Sequence, residues 1–290
     1  MNVFHAIQLD WIRSLQVLRC PFFDMFFRML DGADRFMFSI AIVSFAWYVC
    51  SRRLGITFFY LLFTSFLVNT IAKISFGLPR PFHIDSSLDV LHSPIYSKSL
   101  GFPSGAAQTA VILASLIFLT SKNLYLRIAS ILFGVFLCLS KVYLGLHFPS
   151  DIVGGLVIGG VIVVVGNTVS SYIEARWFTM PLWRRVLITS LFPVLFAMTL
   201  LFPATSKFFH YFGLTAGVGI GILLSTRWDI ASVPPRSLIV RFLHAGIVVA
   251  VFLALSVFLS GFPYIAFTSV FLGLWLSLFG GQVFLPRSFR

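Results

Sequence analysis

Lys73, Arg80, Ser104, Gly105, Lys141, His147 and Asp151 are residues whose types and spacing can do chemistry. All lie in or beside long apolar runs, where an ionisable group is costly unless it is paired or used. Lys73, Arg80 and Lys141 bring charge and donors for a phosphate-sized anion, and Arg80 can grip one through two parallel hydrogen bonds. Pro103-Ser104-Gly105 can open a helix whose first N–H groups and positive dipole end face the same anion. His147 and Asp151 stand one helical turn apart. A carboxylate that accepts one imidazole N–H fixes the tautomer and raises the nucleophilicity of the other nitrogen. Phosphoryl transfer asks for little beyond positioning, charge neutralisation and an in-line nucleophile. A single Lys or Arg in such a place is ordinarily a side chain snorkelling to lipid headgroups. The convergence of three cations and a Ser-Gly helix start on one face favours a binding site instead.

Metal binding is the rival chemistry. His147 and Asp151 would have to join Asp85 or Asp89 around a divalent ion, amid three cations and few carboxylates. No metal and no cofactor are therefore expected.

The elements that must position these residues are membrane helices. Of the 290 residues, 59% are hydrophobic and 10% charged, and the mean hydropathy is +0.98. A soluble domain of this length cannot hide so much apolar surface. Apolar runs of about 20 residues read as transmembrane helices, and they recur near 36–50, 54–72, 105–121, 126–144, 151–170, 185–203, 208–225, 239–260 and 263–284. The expected fold is all-α, a polytopic membrane helical bundle of about nine spans. Gly154, Gly155, Gly159 and Gly160 suit close helix packing in one span, and Gly213, Gly217, Gly219 and Gly221 do so in another.

Residues 1–33 mix apolar positions with Asp10, Arg13, Arg19, Asp24 and Arg28, which reads as an amphipathic segment at the membrane surface. Residues 34–170 then form a membrane core and 171–290 supply additional helices. No cleaved signal peptide is expected, because no basic start precedes an apolar stretch and a small-residue cleavage site. The net charge of +12 belongs to loops and headgroup contacts, since the basic residues are dispersed between spans; nucleic acid is not expected as a partner. If nine spans alternate, the arginine-bearing loops after the first, third, fifth and seventh fall on the cytoplasmic side. The chemistry-bearing residues then face outward. The arginines of the N-terminal segment run against this assignment unless they bind lipid phosphates. Cys20, Cys50 and Cys138 form no spaced pair and read as free and structural.

At these residues the chain resembles the type 2 phosphatidic acid phosphatase superfamily of membrane lipid phosphatases and phosphotransferases. The pattern K-x6-RP is matched by Lys73, Arg80 and Pro81. PSGH is matched through Pro103-Ser104-Gly105 and broken at Ala106. SR-x5-H-x3-D is matched by Ser140, Lys141, His147 and Asp151, with lysine replacing arginine. The resemblance covers about residues 36–170. It implies that His147 forms a phosphohistidine, that Asp151 orients it, and that Lys73, Arg80, Ser104, Gly105 and Lys141 hold the phosphate without a metal. The substrate it implies is a membrane lipid phosphate or pyrophosphate at the extracytoplasmic face, in a bacterial inner membrane.

The family histidine expected at position 106 protonates the leaving group, a role worth about 10²–10⁴-fold in rate. Ala106 cannot fill it. Three readings stay open: an introduced change, a natural change compensated elsewhere, and a chain that binds or moves lipid phosphate without hydrolysing it. His83 is the candidate substitute acid, set against the plainer reading of an exposed loop histidine. Gln108 is a candidate hydrogen-bonding support. A pyrophosphate leaves with little proton assistance, so a diphosphate substrate tolerates Ala106 best. The sequence leaves the oligomeric state open.

Overall fold

The computed structural model describes residues 3–32, 36–92, 96–97, 99–199, 206–227, 230–233, 237–258, 262–279 and 283–286. The helices in chain order are α1 (Val3–Gln16), α2 (Pro21–Gly32), α3 (Phe36–Phe45), α4 (Arg52–Phe76), α5 (Pro81–Ile84) and α6 (Gly105–Thr120). They continue with α7 (Leu124–Tyr143), α8 (Pro149–Arg176), α9 (Leu182–Thr199), α10 (Ser206–Arg227), α11 (Leu238–Phe258) and α12 (Phe262–Leu274). The fold is a helical bundle, as the apolar runs require. Among the described residues, the strand pairing is a short antiparallel ribbon of Ile230–Val233 with Val283–Pro286.

Each expected span overlaps a helix, but the last, 263–284, ends in the strand Val283–Pro286, and the ends of 185–203 and 239–260 lie outside the described residues. Among the described residues, four stretches are long and apolar enough to cross a membrane: Arg52–Ile84, Leu124–Tyr143, Pro149–Thr179 and Phe209–Thr226. Phe38–Cys50, Gly105–Thr120, Leu238–Val251 and Ile265–Leu278 are shorter apolar helices. The protein is thus an integral membrane bundle by length and composition. Cys20, Cys50 and Cys138 form no disulfide.

The chain divides into two compact units. One comprises Met1–Phe38 with Thr64–Asn167, the other Ser39–Phe63 with Thr168–Arg290. In the second, α10 packs closely on α12. A methyl group at Gly213 would come within 2.6 Å of the Ala266 carbonyl oxygen, and one at Gly217 would collide with that of Val270. Gly219 faces Thr189 of α9 instead.

The first unit holds every candidate residue. Here α7 is capped by Asn123, whose side chain accepts from the N–H groups of Tyr125 and Leu126. The amphipathic α1 and α2 pack back onto the unit as well as presenting apolar side chains outward. Leu9 and Ile12 are buried with Leu88 and Phe148, and Phe27 is buried with Tyr143 and Leu146. Ile7, Trp11, Phe22 and Met29 remain exposed on the same two helices.

Candidate active site

Four helix ends build the site. Lys73 lies in the last turn of α4, Ser104 caps α6, Lys141 lies in the last turn of α7 and Asp151 in the first turn of α8. The PSG turn is fastened to α8: the Ser104 N–H donates to the Asp151 carbonyl oxygen at 3.0 Å. The glycines make this approach possible. A methyl at Gly155 would collide with the Ser104 carbonyl oxygen, and one at Gly154 with the Phe102 ring. At Gly159 it would lie 3.0 Å from the Gln108 Cα. Gly160, grouped with these in the sequence, has open space around it.

The turn that delivers His147 depends on Gly145, which ends α7 at φ +70°. That left-handed conformation suits glycine, and a side chain there would also strike the Leu88 carbonyl. The chain reverses, and the N–H groups of Leu146 and His147 both donate to the Lys141 carbonyl oxygen, at 2.9 and 3.2 Å. The five-residue gap between Lys141 and His147 is the length of this turn.

The imidazole is held from both sides. Its Nδ1 lies 3.2 Å from Asp151 Oδ2, and its Nε2 lies 3.2 Å from Arg80 Nη1. A guanidinium only donates, so Nε2 is the acceptor and Nδ1 carries the proton that Asp151 accepts. The same Asp151 oxygen accepts from the Phe148 N–H at 3.0 Å. His147 is buried, with Arg80 and Asp151 buried beside it. Burial, then the charges of Arg80, Lys73 and Lys141, lower its pKa well below the ordinary histidine value, against an opposing hydrogen bond at Gly101. The ring is neutral at pH 7, with its Nε2 lone pair directed at the Arg80 side.

The cations are ordered by backbone. Arg80 Nε donates to the Ser99 carbonyl and hydroxyl oxygens, Nη1 donates to the Leu146 carbonyl at 2.7 Å, and the guanidinium lies 5.1 Å from the Tyr96 ring centre. Lys73 Nζ donates to the carbonyls of Leu100 and Gly101, at 2.6 and 3.0 Å. Both therefore brace the loop before the PSG turn. Gly105 is half-buried, whereas Ser104 is fully buried, its hydroxyl 3.5 Å from the Ala107 N–H.

Three expected residues have side-chain neighbours that their spacing does not reveal. Lys141 Nζ lies 2.7 Å from Asp31 Oδ1 of α2, and both side chains are 2% exposed. His83 is exposed; its Nδ1 accepts from the Arg80 N–H and its Nε2 meets the Ser97 carbonyl at 2.9 Å. With both ring nitrogens bound to backbone, it caps α5. Ala106 is fully buried in an apolar cluster with Ala110 and Leu137, flanked by Phe133 and Cys138. Gln108 does act as a support, accepting from the Ser65 hydroxyl at 2.7 Å.

Several contributors lie outside the motifs. Asn69 donates to the Pro103 carbonyl, Gln8 accepts from the Ser150 N–H at 2.9 Å, and His5 stacks on Phe148 at 5.0 Å. Tyr96 donates to both oxygens of Asp31. None belongs to a recognisable spacing. Among the described residues, no group of three metal-ligating side chains occurs.

A helical membrane protein carrying a neutral, carboxylate-held histidine against an arginine is equipped for phosphoryl chemistry. Comparison with protein families is specific. Residues 53–175 match the PAP2 superfamily, the type 2 phosphatidic acid phosphatase superfamily that the three motifs resemble. No curated protein and no solved structure matches the chain.

Proposed function

We propose that this protein is a membrane lipid phosphatase or phosphotransferase acting on a lipid pyrophosphate through a phosphohistidine at His147, on the extracytoplasmic face of a bacterial inner membrane. The observation that carries the reading is the pair of contacts on the His147 ring. Asp151 holds the Nδ1 proton and Arg80 marks where Nε2 meets an anion. In the first step Nε2 bonds to phosphorus and the bond to the leaving oxygen breaks. In the second, water or an alcohol attacks phosphorus and gives up its proton to solvent, and the P–N bond breaks with its electron pair returning to Nε2. Arg80, Lys73 and the α6 start at Ser104–Gly105 neutralise the phosphoryl oxygens.

Pyrophosphate is preferred because the leaving group is then a phosphate, a far weaker base than an alkoxide. That fits a site where position 106 is alanine packed in apolar surroundings and where His83 is bound to backbone through both nitrogens. The outward orientation rests on the arginine-rich loops, and the bilayer would deliver the lipid between helices. The test is phosphate release from a radiolabelled polyprenyl pyrophosphate and from a phosphatidate by the full chain in detergent. Release from the pyrophosphate, lost in His147→Ala, is expected; no release from either would sink the reading.

A second reading is favoured by the same burial of Ala106: a chain that binds or moves lipid phosphate without cleaving it. Transport of lipid phosphate into vesicles that is unaffected by His147→Ala would select it.

A further inference from the structure

We propose that Asp31, on α2 and outside the matched segment, is a specificity-determining residue. It takes Lys141 as its ion-pair partner, so that the cradle meets an incoming phosphoryl group with Lys73 and Arg80 alone. The inference rests on the phosphate-cradle reading of the site.

The pair is short and closed: 2.7 Å, with both side chains 2% exposed. Tyr96 donates to both Asp31 oxygens, at 3.0 and 3.1 Å, and the Arg80 guanidinium lies over the same tyrosine ring. Asp31 is therefore built into the cradle wall through two neighbours. Lys141 is close enough to His147 for its charge to oppose protonation of the ring, so its neutralisation is felt at the nucleophile.

The residue types match this arrangement. An arginine fork can bond a carboxylate and a phosphate along different edges; a lysine ammonium is a compact point charge. With lysine at 141, a carboxylate at 2.7 Å answers that charge. Three cations against Asp31 and Asp151 leave one net positive charge around a neutral His147. Without Asp31 there would be two. The interaction of an anion with that extra charge scales with the anion's own charge, so Asp31 weakens a dianion more than a monoanion. A dianion such as inorganic phosphate is then held more loosely than it would be without Asp31.

The test is calorimetric titration of the full chain in detergent at about pH 8, where phosphate is mostly dianionic. The probes are inorganic phosphate and dimethyl phosphate, a monoanion. Asp31→Asn should tighten phosphate about tenfold and dimethyl phosphate about threefold. The double variant Asp31→Asn/Lys141→Met, which replaces a buried ion pair by neutral groups of similar size, should bind both within about twofold of the original chain. An equal gain for the two probes, or no gain, in Asp31→Asn overturns the proposal. So does a loss of about tenfold in the double variant, which would make Lys141 a phosphate ligand. If Asp31→Asn alone does not fold, the double variant decides. If Arg80→Ala abolishes phosphate binding while both Asp31 variants bind as the original does, only the Asp31 proposal fails. If the original chain binds neither probe, the cradle reading fails with it.

Discussion

The backbone N–H of Ser104 is hydrogen-bonded to the backbone carbonyl of Asp151. Through this one bond the turn that opens α6 and the residue that holds the nucleophile move together. The α6 start and the His147 imidazole are therefore fixed relative to each other, the preorganisation that the proposed phosphoryl transfer needs.

Removing the nucleophile and misplacing its proton should have different signatures. His147→Ala should abolish acid-trapped phosphoprotein and turnover together. Asp151→Asn should keep the fold but lose control of the tautomer, with kcat reduced about 10³–10⁴-fold, as when a Ser-His-Asp triad loses its aspartate. Labelled phosphoprotein in His147→Ala would place the covalent step on another residue.

The acid limb of the pH profile should lie low. Burial and neighbouring cations keep His147 deprotonated in the folded chain well below the usual range, so kcat/KM should hold as pH falls past about 6.5, the ordinary histidine value. The sign for stability follows. The unfolded chain takes up the proton first as pH drops through about 6.5, so acidification disfavours the fold. A kcat/KM limb at about 6.5 or higher would mean that the ring is solvated when it reacts.

Ala106→His should not repair the site. The Ala106 methyl is fully buried against Ala110 and Leu137, and an imidazole there must displace apolar neighbours at a cost of about 1–3 kcal/mol. Thermal denaturation should show a lower Tm, and pyrophosphate turnover should not rise. A gain above about tenfold on a monoester would show that position 106 faces the leaving group.

Gly155→Ala tests the approach of α8 to the PSG turn. A methyl at this position collides with the Ser104 carbonyl, so the turn must move and carry the phosphate donors with it. KM should rise and kcat fall, with about 1–3 kcal/mol lost in stability. Gly160→Ala, in open space on the same helix, should leave both constants unchanged.

The helices were legible because an apolar run of membrane length has few alternatives. Lys73, Arg80, His147 and Asp151 were legible because their spacings mirror real turns, as Gly145 shows for the gap between Lys141 and His147. What spacing does not carry is the partner supplied from far away in the chain. Lys141 reads as a phosphate ligand by position, yet Asp31 stands 110 residues earlier and binds it. His83 reads as near the cradle, and it is, but short-range hydrogen bonds to Arg80 and Ser97 consume its ring. Side-chain direction at position 106 was equally invisible, since a helix start fixes sequence order and not which neighbours pack on each face.

The docking of α1 has a consequence for how the chain is assembled. His5 covers Phe148, and Gln8 caps the α8 start at Ser150 across 142 residues of sequence. Such long-range closures form late, because the intervening chain must be in place first. During synthesis the turn carrying His147 stays bare on this side until α1 returns over it. That side of the His147 turn can therefore be covered only once α7 and α8 have been made.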